Sequence, residues 1–109
     1  MFQKADATGY LPVLDKIRRK TLVYGPKTLL VEFRLEEGAC LPLHAHPHEQ
    51  IGYLVSGRLE LTIGDVVQVA EPGDSWCIPG DVEHQAVAHA DCVAVEAFAP
   101  VREDYLPQG

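Results

Sequence analysis

Turn signals recur so closely along this chain that the segments between them read as short strands. "YGP" stands at 24–26, "EEG" at 36–38, "SG" at 56–57, "GD" at 64–65, "EPGD" at 71–74 and "PGD" at 79–81. The runs between them are rich in Val, Leu, Ile, Phe and Tyr. "RLELTI" (58–63) alternates cleanly, with Leu59, Leu61 and Ile63 on one face and Arg58, Glu60 and Thr62 on the other. "TLLVEFRL" (28–35) and "DCVAVEAFA" (91–99) also read as strands. Strands at about 8–12-residue spacing with turns between them predict an all-β fold, an antiparallel barrel or sandwich. "LPVLDKIRR" admits a short helical turn, but Pro12 and the β-branched residues of "IRRKTLVY" favour strand there.

The chain has 109 residues, which suits one domain over 1–109. Its apolar fraction of 47% is enough to build a core. A formal net charge of −7 argues against nucleic acid or an anionic membrane as partner. The start "MFQKADATGYLPVL" lacks the pattern of a signal peptide. No apolar stretch approaches the roughly 20 residues a membrane span needs. Cys40, Cys77 and Cys92 are odd in number and form no CxxC pair, so reduced thiols in a cytoplasmic setting are expected. These cysteines and Trp76 are expected in the core or an interface, with Cys40 also close enough in sequence to the histidines to line a pocket.

Those histidines carry the chemistry. "LPLHAHPHEQIGYLVSG" (41–57) places His44, His46 and His48 within five residues. Residues two apart on a strand share a face, so His44 and His46 can converge on one ion, whose nitrogen donors sit at about 2.0–2.2 Å. The plainer reading is a pair of surface or packed histidines. A third candidate, His84 in "WCIPGDVEHQAV", tips the balance toward a metal site, because a barrel can bring its strand beside the first. Pro47 interrupts the strand pattern, so His48 is expected beside the ligands rather than among them. His89 receives no role.

Spacing now carries a resemblance. Gly38, five residues, His44-Ala-His46, Gln50 and then Gly57 match the first motif of the cupin superfamily. Gly73, five residues, Pro79 and then His84 match the second, with Asp81 where the motif has glycine and Ala88 where it has asparagine. The chain therefore resembles the cupins, and the fold implied is a small antiparallel jelly-roll barrel. The resemblance implies His44, His46 and His84 as metal ligands, with Gln50 at the position of the acidic fourth ligand. Glu49 is the competing candidate one residue away. Alternation sends the two to opposite faces, and Gly57 lies at the motif's distance from Gln50, which favours Gln50. One divalent ion is implied, with Zn, Ni, Fe and Mn all compatible with nitrogen and amide-oxygen donors. Three imidazoles and an amide leave the ion's charge uncancelled, so the site favours an anion.

The ending "VAVEAFAPVREDYL" holds Glu96, Phe98 and Arg102. Glu96 and Phe98 are in phase on a strand, and alternation permits that face to point either to solvent or inward. Inward, Glu96 can act as general acid or base. Arg102 can clamp a carboxylate, or simply pair with Glu103 or Asp104. "PLHAHPHEQIGYLVSGRLELTIGD" with this ending is similar to the small cupins of pectin degradation. Their aspartate is replaced here by Glu96. That resemblance implies opening of 4,5-unsaturated monouronates to linear keto-aldehyde acids. Glu96 and Arg102 would be catalytic, and Phe98 and Arg102 would hold a small anionic sugar acid. A metal-dependent oxygenase and a non-catalytic binding or sensor domain are the alternatives, since cupins host many activities. Small cupins usually form homodimers, and "IRRKTLVY" is the expected interface strand.

Overall fold

A computed structural model describes residues 1–107 of the chain. Ten strands follow one another: β1 (Leu11–Leu14), β2 (Ile17–Tyr24), β3 (Leu29–Leu35), β4 (Cys40–His44), β5 (Glu49–Ser56), β6 (Leu59–Ile63), β7 (Val66–Ala70), β8 (Ser75–Ile78), β9 (His84–Ala88) and β10 (Cys92–Ala99). A 3₁₀ turn, Glu103–Tyr105, comes after β10. All six turn signals fall at strand ends or between strands. The segment around "LPVLDKIRR" is two strands joined at Asp15 and Lys16, with no helical turn.

Every ladder is antiparallel. One sheet has six strands in the order β1-β2-β3-β10-β5-β8, and the other has four in the order β4-β9-β6-β7. The sheets face each other as a jelly-roll sandwich, with the core between them. Ile17, Leu35, Leu54 and Ala94 of the larger sheet and Leu59, Leu61 and Ala86 of the smaller one fill that core. Together they remove the apolar faces of both sheets from water, which is the main force holding the layers together. A second cluster, Leu29, Val31 and Phe98, is covered by Val101, Tyr105 and Leu106 from the segment after β10. No helix among the described residues is long and apolar enough to cross a membrane.

β10 is an interior strand, paired along its length with β3 on one side and β5 on the other. That position explains its apolar sequence. Cys92, Ala94, Glu96 and Phe98 point inward, while Val93, Val95 and Ala97 point out and are only half-buried. The inward orientation of Glu96 and Phe98 is thereby fixed.

Two expectations concern an edge and the thiols. The segment "IRRKTLVY" is β2; β3 runs along one of its edges, whereas β1 pairs with the other only at Ile17, Arg18 and Arg19. Among the described residues no strand covers residues 20–24 on that side, and the outer strands of the sheet are β1 and β8. Of the cysteines, only Cys92 is buried. Cys40 alternates with inward Leu41, and Cys77 with Trp76 and Ile78, so the pleat turns both thiols out and away from the cavity. Trp76 does pack against the main core.

Candidate metal centre

The histidines come together at the mouth of the sandwich by two routes. His44 ends β4 and lies directly across from His84, the first residue of β9. His46 lies beyond β4, in the loop that precedes β5, so strand alternation does not place it. The turn before β9 does. Asp81 donates its backbone N–H to the His46 carbonyl at 2.8 Å. A Cβ at Gly80 would stand 2.4 Å from the Pro47 carbonyl oxygen, so only glycine lets the two loops close on each other. Asp81 itself has φ +65°, a conformation that Asp tolerates better than most residues. The departure from the motif's glycine is thus accommodated in glycine's own backbone shape.

One ligand atom each from His44, His46 and His84 lies within 4.8 Å of the others, so the three are placed to hold a metal ion. Their orientation is set by backbone carbonyls. Nδ1 of His44 meets the Pro42 carbonyl at 2.8 Å, that of His46 the His48 carbonyl at 3.0 Å, and that of His84 the Val82 carbonyl at 2.9 Å. A carbonyl only accepts, so each Nδ1 carries a proton, and a ring with no second proton presents a bare Nε2. Burial holds His46 and His84 below the usual histidine pKa, and the Arg102 charge acts in the same direction. Nε2 of His84 is buried with no hydrogen-bond partner. A buried bare acceptor of this kind is what a metal ion would satisfy.

Gln50 is buried at 6% exposure, whereas Glu49, one residue earlier, faces solvent. The Gln50 amide Nε2 donates to Glu96 Oε2 at 2.5 Å. That turns its Oε1 toward His46 Nε2, 3.0 Å away. An amide oxygen only accepts, so a cation, either a proton on Nε2 or a metal ion, satisfies both atoms. The donor set therefore fits an ion bound by imidazole nitrogen and amide oxygen.

Glu96 is 8% exposed and sits on the inner face of the opposite sheet. Burial pushes its carboxyl up to about 7, against the pull of hydrogen bonds from Trp76 and Gln50 and the charge of Arg102. Arg102 lies at the same cavity. It also meets Asp104, Nη2 to Oδ2 at 3.0 Å and Nε to Oδ1 at 3.4 Å, and packs over the rings of Phe98 and Tyr105. The ion pair with Asp104 is thus formed, and it leaves Arg102 at the cavity wall. His44, Gln50, His84, Glu96, Phe98 and Arg102 all line one largely apolar cavity.

His48 stands beside the cluster, half-buried, and contributes its carbonyl to His46. His89 meets Glu60 at the surface. Sequence reasoning missed two residues. Tyr105 lines the cavity and stacks between Arg19 and Arg102. Trp76 donates Nε1–H to Glu96 Oε1 at 3.2 Å. The available signal for Trp76 was Gly52, a glycine inside the strand "QIGYL", which marks a close approach by some other group.

The family model for the cupin domain matches residues 31–98. The pectin degradation protein KdgF of Dickeya dadantii is 27% identical over 103 residues, covering 93% of this chain and 94% of that protein. The solved structure of KdgF from Halomonas sp. is 30% identical with a TM-score of 0.92, covering 97% of this chain and 98% of that one. An RmlC-like cupin from Shewanella frigidimarina is 28% identical with a TM-score of 0.91, over 96% and 95% of the two chains. Two motifs, the jelly-roll sheets and the histidine cluster at their mouth agree with these matches, and the chain belongs to the cupin family.

Proposed function

We propose that this cupin opens the ring of 4,5-unsaturated monouronates, as its similarity to KdgF and its site chemistry both support. The observation that carries the reading is the Gln50 bridge, which joins a buried carboxyl, Glu96, to His46 Nε2 and so to the cluster of three histidines. His44, His46, His84 and Gln50 are the proposed ligands. A divalent ion held there would supply a Lewis-acidic centre for a substrate oxygen.

The substrate is an enol ether that carries a carboxylate. Arg102 pairs with that carboxylate through Nη1, since Asp104 engages Nε and Nη2. Phe98, fully buried, shapes the wall beside it. With a pKa of about 7, Glu96 populates both its acid and its base form near neutrality. As acid it delivers a proton to C4. As base it accepts the proton of the water that adds to C5. The product is a hemiketal at C5. Breakage of the bond between C5 and the ring oxygen gives the ketone, and loss of water at C1 leaves the aldehyde. One water enters and one leaves, so the net change is an isomerisation.

The test is turnover of unsaturated monogalacturonate by zinc, nickel, iron and manganese forms, with and without oxygen. Loss of the enol-ether ultraviolet absorbance is followed. The proposal expects acceleration by a zinc or nickel form under nitrogen. No acceleration over buffer with any metal would overturn it, and consumption of oxygen by the iron or manganese form alone would mark an oxygenase instead.

A further inference from the structure

The carboxyl of Glu96 is held by groups from two other strands, and the arrangement depends on a missing side chain. Trp76 on β8, Gly52 on β5 and Glu96 on β10 are direct cross-strand neighbours, in that order. All three face the sandwich interior. A Cβ built on Gly52 would stand 2.1 Å from Cε2, 2.2 Å from Nε1 and 2.4 Å from Cζ2 of the indole. No real side chain tolerates such contacts with a rigid ring. The indole therefore lies across the backbone of β5, in the space that any other residue at 52 would fill. Only from there does its Nε1–H reach Oε1 of Glu96, at 3.2 Å, while Gln50 takes Oε2.

Glycine inside a paired strand weakens it and leaves nothing to pack. A core tryptophan needs no such vacancy, and an indole N–H in the core needs an acceptor. The slot and the hydrogen bond together explain both residues. We propose that Trp76, seated over Gly52, is a positioning residue that fixes the Glu96 carboxyl toward the cavity, with Gly52 as the residue that makes the reach possible. Donors on both oxygens stop the carboxyl from rotating about its own bond. The indole donates and never accepts, so it holds an oxygen lone pair without competing for the proton that Glu96 moves. The inference rests on the catalytic role proposed above for Glu96, but its geometry is separately measurable.

Trp76 is the only tryptophan, so the zinc-loaded protein gives a single indole N–H signal in a nitrogen–proton correlation spectrum. The proposal expects that signal to exchange slowly with solvent and to move in Glu96→Gln and in Gly52→Ala. A signal that stays in place in both variants overturns it. In kinetics, Trp76→Phe keeps a ring over Gly52 but removes the donor. Its kcat is expected to fall about 10–100-fold, the range for losing a partner that orients a site residue. KM and bound zinc stay unchanged, the pattern of a lost transition-state contribution. In the Glu96→Gln background the same substitution adds no further loss, because the residue it positions is already disabled. An unchanged kcat in Trp76→Phe, or losses that multiply in the double variant, overturns the proposal. Absence of turnover in the wild type removes the uronate reading alone, and the indole signal then decides whether Trp76 holds Glu96.

Discussion

The two walls of the cavity are built in opposite ways. On one wall, His44, His46 and His84 are each aimed by a carbonyl two residues away in sequence, those of Pro42, His48 and Val82. On the other, Glu96 is held only by side chains distant in sequence, Gln50 and Trp76, brought near by the pairing of β5, β8 and β10. The first wall is local chain geometry that needs only the β4–β9 ladder and one turn to assemble. The second exists only once three strands are in register. A metal site can thus persist where the acid–base apparatus is disturbed, and the two functions should separate under mutation.

The largest effect should follow from attacking the histidine wall. His84→Ala removes a buried donor with no other partner. Bound metal, measured by elemental analysis, should fall below one equivalent, and turnover should drop to the buffer rate. Glu96→Gln attacks the other wall. It should lower kcat by about 10²–10⁴-fold, the usual contribution of a general acid or base, while bound metal stays at the wild-type level. Loss of metal in Glu96→Gln would erase the separation between the walls.

Two further predictions concern stability. Phe98 is fully buried in the cluster with Leu29 and Val31, so Phe98→Ala should cost about 3–5 kcal/mol in urea unfolding. The pH dependence of the metal-free protein should expose Glu96. Burial raises its folded pKa from 4.5 to about 7, so the folded state binds the proton more tightly than the unfolded chain. The stabilisation is fully present below pH 4.5 and is lost as pH rises through about 7. That rise of about 2.5 corresponds to about 3 kcal/mol. His46 and His84 act in the other direction, because their lowered pKa values give stability that is lost as pH falls. Measuring wild type against Glu96→Gln with chelator present cancels the histidines and leaves the carboxyl. The smallest effect belongs to Arg102→Lys, which keeps the charge but loses the planar fork. KM should rise about tenfold with kcat little changed.

The same contrast explains what the sequence made legible. Turn residues and alternation are local, so all six turns and the strands around 28–35, 58–63 and 91–99 could be read directly. That Gln50 rather than Glu49 points inward was readable from its spacing to Gly57, with the pleat sending the two to opposite faces. The inward face of β10 could not be read, because an alternating strand of Val, Ala and Glu has two apolar-looking sides. Only its interior place between β3 and β5 decides that Glu96 is buried. His46 was assigned to a strand that stops at His44, since the Pro47 break acts two residues earlier than expected. Trp76 was readable as core but not as a partner of Glu96, for that contact joins residues 20 apart across a glycine on a third strand.

The decisive measurement counts zinc per chain and turnover of unsaturated monogalacturonate in the same preparations of wild type, His84→Ala and Glu96→Gln. The walls meet through Gln50, whose bond to residue 96 needs only an acceptor oxygen, which glutamine keeps. His84→Ala is therefore predicted to lose both quantities, and Glu96→Gln to keep its zinc and lose only turnover. A Glu96→Gln protein that turns over substrate at the wild-type rate, or that no longer binds zinc, would contradict the account.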